Sequence, residues 1–341
     1  MTSFSDGVFQ YGGMPVTPGV PVPFNGNAYF VDPVNGSDGN RGSSPKRAFS
    51  SLYRAHKACL SGNNDVVYLI GNGSTTGTAR LSKAAAQLSD STATSGALLW
   101  TKNSTHLIGI TAPSNNTRAR IAPGTADTQA LFGSGNLVVV SGSGCYFSNF
   151  SVSHEFATGG TSQIAWTDSG GRNSYQGVDI LGKLDATSAA DTASLSLLIS
   201  GGNGENLFSG CRIGADTIKG AAGCYELSIT GGSPRNSFVK SIISAYAGGT
   251  TSAWVSIPAS GIDRWVLFDD CLFVNPVLPA SGAAASVIAN GIVIDAAGGG
   301  VVLVKNSMFY GAAVLSAASG LVFTNQANAA AHGGLGFAAA T

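Results

Sequence analysis

The sequence predicts an all-β chain wound as a right-handed parallel β-helix, a solenoid carrying an N-terminal extended arm and a capping helix. Three observations carry that expectation. Glycine is 47 of 341 residues while charged residues are only 11%, about twice and about half of ordinary usage, which points to a turn-rich β architecture. A six-residue pattern recurs about every 30 residues. Its third position is filled by residues that turn a corner.

The recurring segments align without gaps: FSNFSV (147–152), YQGVDI (175–180), FSGCRI (208–213), FVKSII (238–243), FDDCLF (268–273) and VKNSMF (304–309). Their starts lie 28, 33, 30, 30 and 36 residues apart. A weaker seventh copy is THLIGI (105–110). Positions one, four and six are apolar in most copies. In an extended strand, four and six share a face and one does not. All three point inward only if the chain bends between positions one and four. Position three is Asn149, Gly177, Gly210, Lys240, Asp270 and Asn306, and Gly, Asn and Asp enter left-handed backbone at least cost. A second apolar column precedes the first: Val140, Trp166, Ile199, Ile229, Ile257 and Ile294. One coil cannot bury its inner face alone, so stacked neighbours supply the core.

Four regions follow along the chain. Residues 1–28 form the arm, where Pro15, Pro18, Pro21 and Pro23 prevent helix. Its Phe4, Phe9, Tyr11 and Phe24 are candidate docking contacts on the chain itself or on a neighbour. Residues 29–97 hold an opening strand, a Gly/Asn/Asp turn cluster, the capping helix and the first coils. Ser43 or Ser44 is placed to cap that helix with Pro45 in its first turn, and Phe49, Leu52, Tyr53, Cys59 and Leu60 make its apolar stripe. Lys46, Arg47, Arg54, His56 and Lys57 read as its solvated face. Residues 98–324 are the β-helix proper. Residues 325–341 are a Gly/Ala-rich tail expected to contact a neighbouring subunit or a capsid.

Composition also bounds function. Eighteen basic and eighteen acidic residues cancel, so the electrostatic footprint of a general nucleic-acid binder is missing. The first basic residue is Arg41, which gives no positive leader for secretion, and no apolar run reaches membrane-spanning length. The expected partners therefore include neither nucleic acid nor membrane. Cys59, Cys145, Cys211, Cys224 and Cys271 include no C-x-x-C pair; they read as reduced core thiols, with Cys211 and Cys271 two coils apart in a ladder with Phe150, Val178, Ser241 and Ser307. His56, His106, His154 and His332 are too scattered for a metal set, and no cofactor motif occurs, so no cofactor or metal is expected.

The carboxylates give weak catalytic signals. Asp269 and Asp270 alternate at a corner, so their side chains diverge; Asp179 and Asp295 are isolated; His154, Glu155 and Glu205 fall in turns. None makes the facing pair that a glycosidase needs, and no catalytic residue is assigned. Trp166 reads as core, while Trp100, Trp254 and Trp265 are open to either core or ligand contact.

The opening YFVDPVNGSDGNRGSSP (29–45) and the helix after it resemble the start of many pectate-lyase-like β-helix proteins. The continuation, DVVYLIG (65–71), HLIGITAPSNNTRARIA (106–122) and the Asn-x-Phe-x-x-Cys-x-Ile coil at 206–213, resembles a class of tailed-bacteriophage virion proteins. That resemblance implies a homotrimeric spike, fibre or capsid-decorating (cement) protein, partnered by the phage capsid or other virion proteins and assembled in the bacterial host cytoplasm. The alternatives it leaves open are a tailspike-type enzyme that degrades polysaccharide and a non-enzymatic adhesin for bacterial surface glycan.

Overall fold

Each hexapeptide needs a corner, and the structure has one in all six copies. In the computed structural model, which describes residues 10–11, 14–15, 26–72, 77–82, 96–125, 132, 135–156, 163–276, 285–318, 320–325 and 335–336, position three has left-handed backbone throughout. The φ values are 57° at Asn149, 58° at Gly177, 60° at Gly210, 50° at Lys240, 56° at Asp270 and 50° at Asn306. The strand before the corner and the strand after it enter different sheets.

The result is a right-handed parallel β-helix of three sheets. Among the described residues, sheet 1 has ten strands, from Ala28–Val31 to Val322–Thr324, sheet 2 has nine and sheet 3 has seven. A coil passes from sheet 3 to sheet 1, turns the corner into sheet 2, and returns. Nine spacings of about 4.8 Å in sheet 1 make a rod of roughly 43 Å.

In-register pairing piles like over like. Phe147, Tyr175, Phe208, Phe238 and Phe268 are consecutive partners in sheet 1. Their ring centroids are 4.9, 4.4, 4.7 and 4.8 Å apart with interplanar angles of 3–16°. Position four is the second file: Phe150, Val178, Cys211, Ser241, Cys271 and Ser307 are all buried. There the serine hydroxyls accept from the backbone N–H of Cys211 (from Ser241, 3.2 Å) and Cys271 (from Ser307, 3.0 Å). All five cysteines are free and buried.

A second left-handed column lies three residues before the inward residue of sheet 1. Its members are Asn64, Ser104, Gly144, Arg172, Glu205 and Arg235, in six consecutive coils. Only two of the six are Gly or Asn, so composition gave no sign of it. Next to it runs a buried asparagine ladder. Cys145 N–H donates to Asn173 Oδ1 (2.8 Å), Asn173 N–H to Asn206 Oδ1 (2.9 Å) and Asn206 N–H to Asn236 Oδ1 (3.2 Å). These side chains satisfy backbone donors that the turn leaves without a strand partner.

Several expectations need correction. Register places Asp168, not Trp166, in the column of Val140 and Ile199; Trp166 belongs two residues earlier, with Val138 and Leu197. A buried carboxylate is tolerated there because Tyr175 Oη–H, Asn173 Nδ2–H (3.0 Å) and the N–H groups of Gly170 and Gly171 donate to it. The weak seventh copy is also offset: Leu107, not Thr105, pairs with Phe147, because residues 111–119 replace the tight corner with a longer loop. The helix starts later than its sequence signals. Pro45–Arg47 is a 3-10 turn, and the α-helix Leu52–Ala58 is capped by Ser51, whose Oγ accepts from Arg54 N–H (3.2 Å). Asp38 fixes that cap by accepting from Ser50 N–H, Ser51 N–H and Ser51 Oγ–H.

This helix covers the open end of the core just before sheet 3 begins at Leu98–Trp100. His56, expected on the solvated face, is buried with its ring 4.7 Å from that of Trp100. Trp100 and Trp254 are core, and Trp265 is half-buried on the outer face of sheet 1. In the arm, Gln10–Tyr11 and Met14–Pro15 pair antiparallel; Phe4, Phe9, Phe24 and the Tyr11 side chain lie outside the described residues. In the tail, Leu335–Gly336 extend sheet 2 by pairing with Met308 and Phe309.

Gly177 and Gly210 isolate the backbone cost, because a Cβ at either would meet nothing within 4 Å. Gly177→Ala and Gly210→Ala are each expected to cost about 1 kcal/mol through left-handed strain alone. Urea unfolding of the two variants checks this, and unchanged midpoints would count against the corner geometry.

Candidate ligand groove on the outer face of sheet 2

Strand alternation decides which side chains leave the core. In Ala79–Leu81 and Arg120–Pro123, Ala79, Leu81 and Ile121 point in, so Arg80 and Arg120 point out. Register then continues the outer column of sheet 2 as Arg120, Ser151, Asp179 and Arg212. The loop at 111–119 arches over this face. Thr117 N–H donates to Asp179 Oδ2 (3.0 Å), and Arg212 Nη1 donates to Asn116 Oδ1 (3.3 Å). On the far side stand Leu184 and residues 215–218. Between them lies a groove of about 420 Å³.

Its charges are three arginines against two carboxylates at the rim. Arg80 pairs with Glu155 (3.2 Å) and Arg212 with Asp216 (2.7 Å). Ser153 Oγ–H holds the other Glu155 oxygen (2.9 Å). Arg120 is half-buried, and no ion pair is formed by it among the described residues. Burial lowers its pKa, the neighbouring cations Arg118 and Arg80 push in the same direction, and the Glu155 carboxylate opposes them. Beneath the arching loop, burial raises the Asp179 carboxyl against the opposing Thr117 and Asn116 backbone hydrogen bonds. The arrangement offers guanidinium forks, hydroxyls from Thr78, Ser151, Ser153 and Thr217, and two carboxylates tied to cations. That chemistry suits binding an anion more than proton transfer, since both rim carboxylates are already engaged by guanidinium groups.

The other sequence candidates serve structure. Asp269 is paired with Lys305 (2.9 Å), and Asp270 sits exposed at its corner. Asp295 accepts from Ala297 N–H (2.8 Å). Glu205 joins Arg172 and Arg235 across three coils, and the hydrogen bond from Arg172 is the first cause of its lowered pKa. His154 faces inward and is fully buried beside Lys183, which itself pairs with buried Glu226 (2.7 Å). The outer column of sheet 3 reads Leu99, Val139, Thr167, Leu198, Ser228, Ser256 and Val293; it carries no titratable side chain. Among the described residues, no group of three or more His, Cys, Asp or Glu could hold a metal ion, and no helix is long and apolar enough to cross a membrane.

Sequence reading left Glu155 in a turn and Asp179 alone. The missing signal was register: the groove gathers residues from 78 to 218, brought together only by stacking five coils.

No protein-family profile matches the sequence, and no curated protein matches it. Solved structures do resemble it. A rhamnogalacturonan lyase superposes with TM-score 0.55 at 15% identity, covering 85% of this chain and 69% of the lyase. The pectate lyase Pel9A superposes with TM-score 0.58 at 14% identity, covering 87% of this chain and 68% of that one. At such identities the likeness establishes the fold alone: the chain is a parallel β-helix of the kind these two lyases share.

His154 gives a pH test of the interior. Burial, with Lys183 nearby, lowers its pKa from 6.5 to about 3. Below pH 6.5 the unfolded chain takes up a proton that the folded chain refuses until about pH 3, so this group removes stability as pH falls through that window. His154→Leu removes the effect, and its stability relative to wild type should rise by about 2 kcal/mol between pH 7 and pH 5. Thermal or urea unfolding at both pH values measures the gap; a constant gap would contradict the assignment.

Proposed function

We propose that the chain is a non-enzymatic structural protein of a tailed-phage virion, assembled as a homotrimer that decorates or cements the capsid or forms a short fibre. The observation that carries this reading is an outward apolar surface on the C-terminal coils. On sheet 1 the outer column runs Leu207, Ser237, Leu267, Leu303 and Phe323, with Leu207 42% and Phe323 48% exposed. Around the corner on sheet 2, the column that begins as Arg120, Ser151, Asp179 and Arg212 turns apolar at Ile242, Leu272 and Met308. Exposed apolar columns of this kind, here on either side of the polar corner that carries Asp269, Asp270 and Lys305, favour a protein–protein contact, and identical rods are their simplest mutual cover. The arm and the phage-like segments at 65–71, 106–122 and 206–213 support the virion setting.

A second reading, action on a polysaccharide, is favoured by the likeness to a rhamnogalacturonan lyase and a pectate lyase and by the charged groove. The ion pairs that hold Glu155 and Asp216 argue for binding without cleavage.

Size-exclusion chromatography with light scattering should give three times the 34.2 kDa chain mass. Leu267→Lys combined with Leu272→Lys should leave a folded monomer; a wild-type monomer would overturn the assembly. Incubation with acidic bacterial polysaccharides should release no unsaturated uronate or new reducing ends. Turnover that disappears in Glu155→Gln would establish the enzymatic reading instead.

A further inference from the structure

We propose that the sheet 2 groove is a binding site for a saccharide bearing one anionic group, with Arg120 as the primary anion contact. This stands apart from the assembly reading, because the groove lies on sheet 2 before Ile242 and shares only the Leu207–Arg212 coil with the apolar columns. The groove of about 420 Å³ falls in the range of small-ligand sites. Arg80 and Arg212 are each answered by a carboxylate, whereas half-buried Arg120 makes no ion pair among the described residues and feels Glu155 only at longer range. A guanidinium held next to two others favours an arriving carboxylate or phosphate, which it grips bidentately. The surroundings are rich in hydroxyl and amide groups: Thr78, Asn116, Ser151, Ser153 and Thr217. Glu155 and Asp216 add acceptors for sugar hydroxyls. An anionic saccharide matches both the charge and the lining.

The carboxylate and phosphate forms are distinguished by titrating the folded full-length protein calorimetrically with glucuronate, glucose 6-phosphate, neutral glucose and inorganic phosphate. One or both anionic sugars should bind, glucose should bind at least tenfold more weakly, and inorganic phosphate should be weaker than the anionic sugar. Arg120→Ala should weaken binding about tenfold, the worth of one charge-assisted contact, while Arg120→Lys loses less. Glu155→Gln should strengthen binding, because it frees Arg80. Lys305→Ala, on sheet 1, serves as a charge control and should change nothing. Unfolding midpoints confirm that each variant is folded. Absence of binding by both anionic sugars, equal binding of inorganic phosphate, or indifference to Arg120→Ala and Glu155→Gln would overturn the proposal.

Discussion

The structure depends on one backbone constraint: the left-handed residue that lets three side chains of opposite parity face the same interior. Without it, Phe208 and Ile213 would lie on opposite faces of one strand. With it, six consecutive copies place position one in sheet 1 and position six in sheet 2, both turned to the axis. Glycine, Asn and Asp meet the requirement cheaply at five of these corners. Lys240 meets it at higher cost, held by coils above and below that already fix the path. The aromatic file follows from the same geometry, because identical corners stack at strand spacing and bring ring over ring at 4.4–4.9 Å. Each such pair contributes on the order of 1 kcal/mol beyond the area it buries.

Much of this was legible in the sequence because the interior is periodic. Position three and the position-four ladder, with Cys211 and Cys271 in it, could be read from the hexapeptides. Register was harder to read wherever chemistry broke the apolar rule. Asp168 sits in a core column, so alignment by hydrophobicity slid to Trp166. Thr105 aligned by number and Leu107 by space, because the 111–119 loop lengthens one corner. The second corner, with Arg172, Glu205 and Arg235 at positive φ, had no compositional mark; the Asn173, Asn206 and Asn236 column beside it did, as the Asn two residues before each aromatic. Helix capping by Ser51 depended on Asp38, thirteen residues away, a contact that local signals do not encode.

The candidate site was less legible for a related reason. Interior columns repeat, but exterior columns change residue by residue, and nothing in a single coil marks a groove. Arg80, Arg120, Glu155 and Arg212 become neighbours only after five coils are stacked and an arching loop is laid over them. The same exterior then changes character along the rod, from charged at Arg120 and Asp179 to apolar at Leu272 and Met308. That gradient runs from a charged end to an apolar end on one continuous core.

The account therefore rests on coil-over-coil register, and paired cysteines test it most directly. Ser209 and Val239 are in-register partners on the outer face of sheet 1, whereas Ser209 and Asp269 lie two coils apart. Strand spacing puts the first pair within disulfide reach and the second, at about 10 Å, beyond it. Mild oxidation of Ser209→Cys/Val239→Cys should give an intrachain disulfide, seen by mass spectrometry, with none in Ser209→Cys/Asp269→Cys. Efficient closure of the second pair and not the first would contradict the stacked-coil structure.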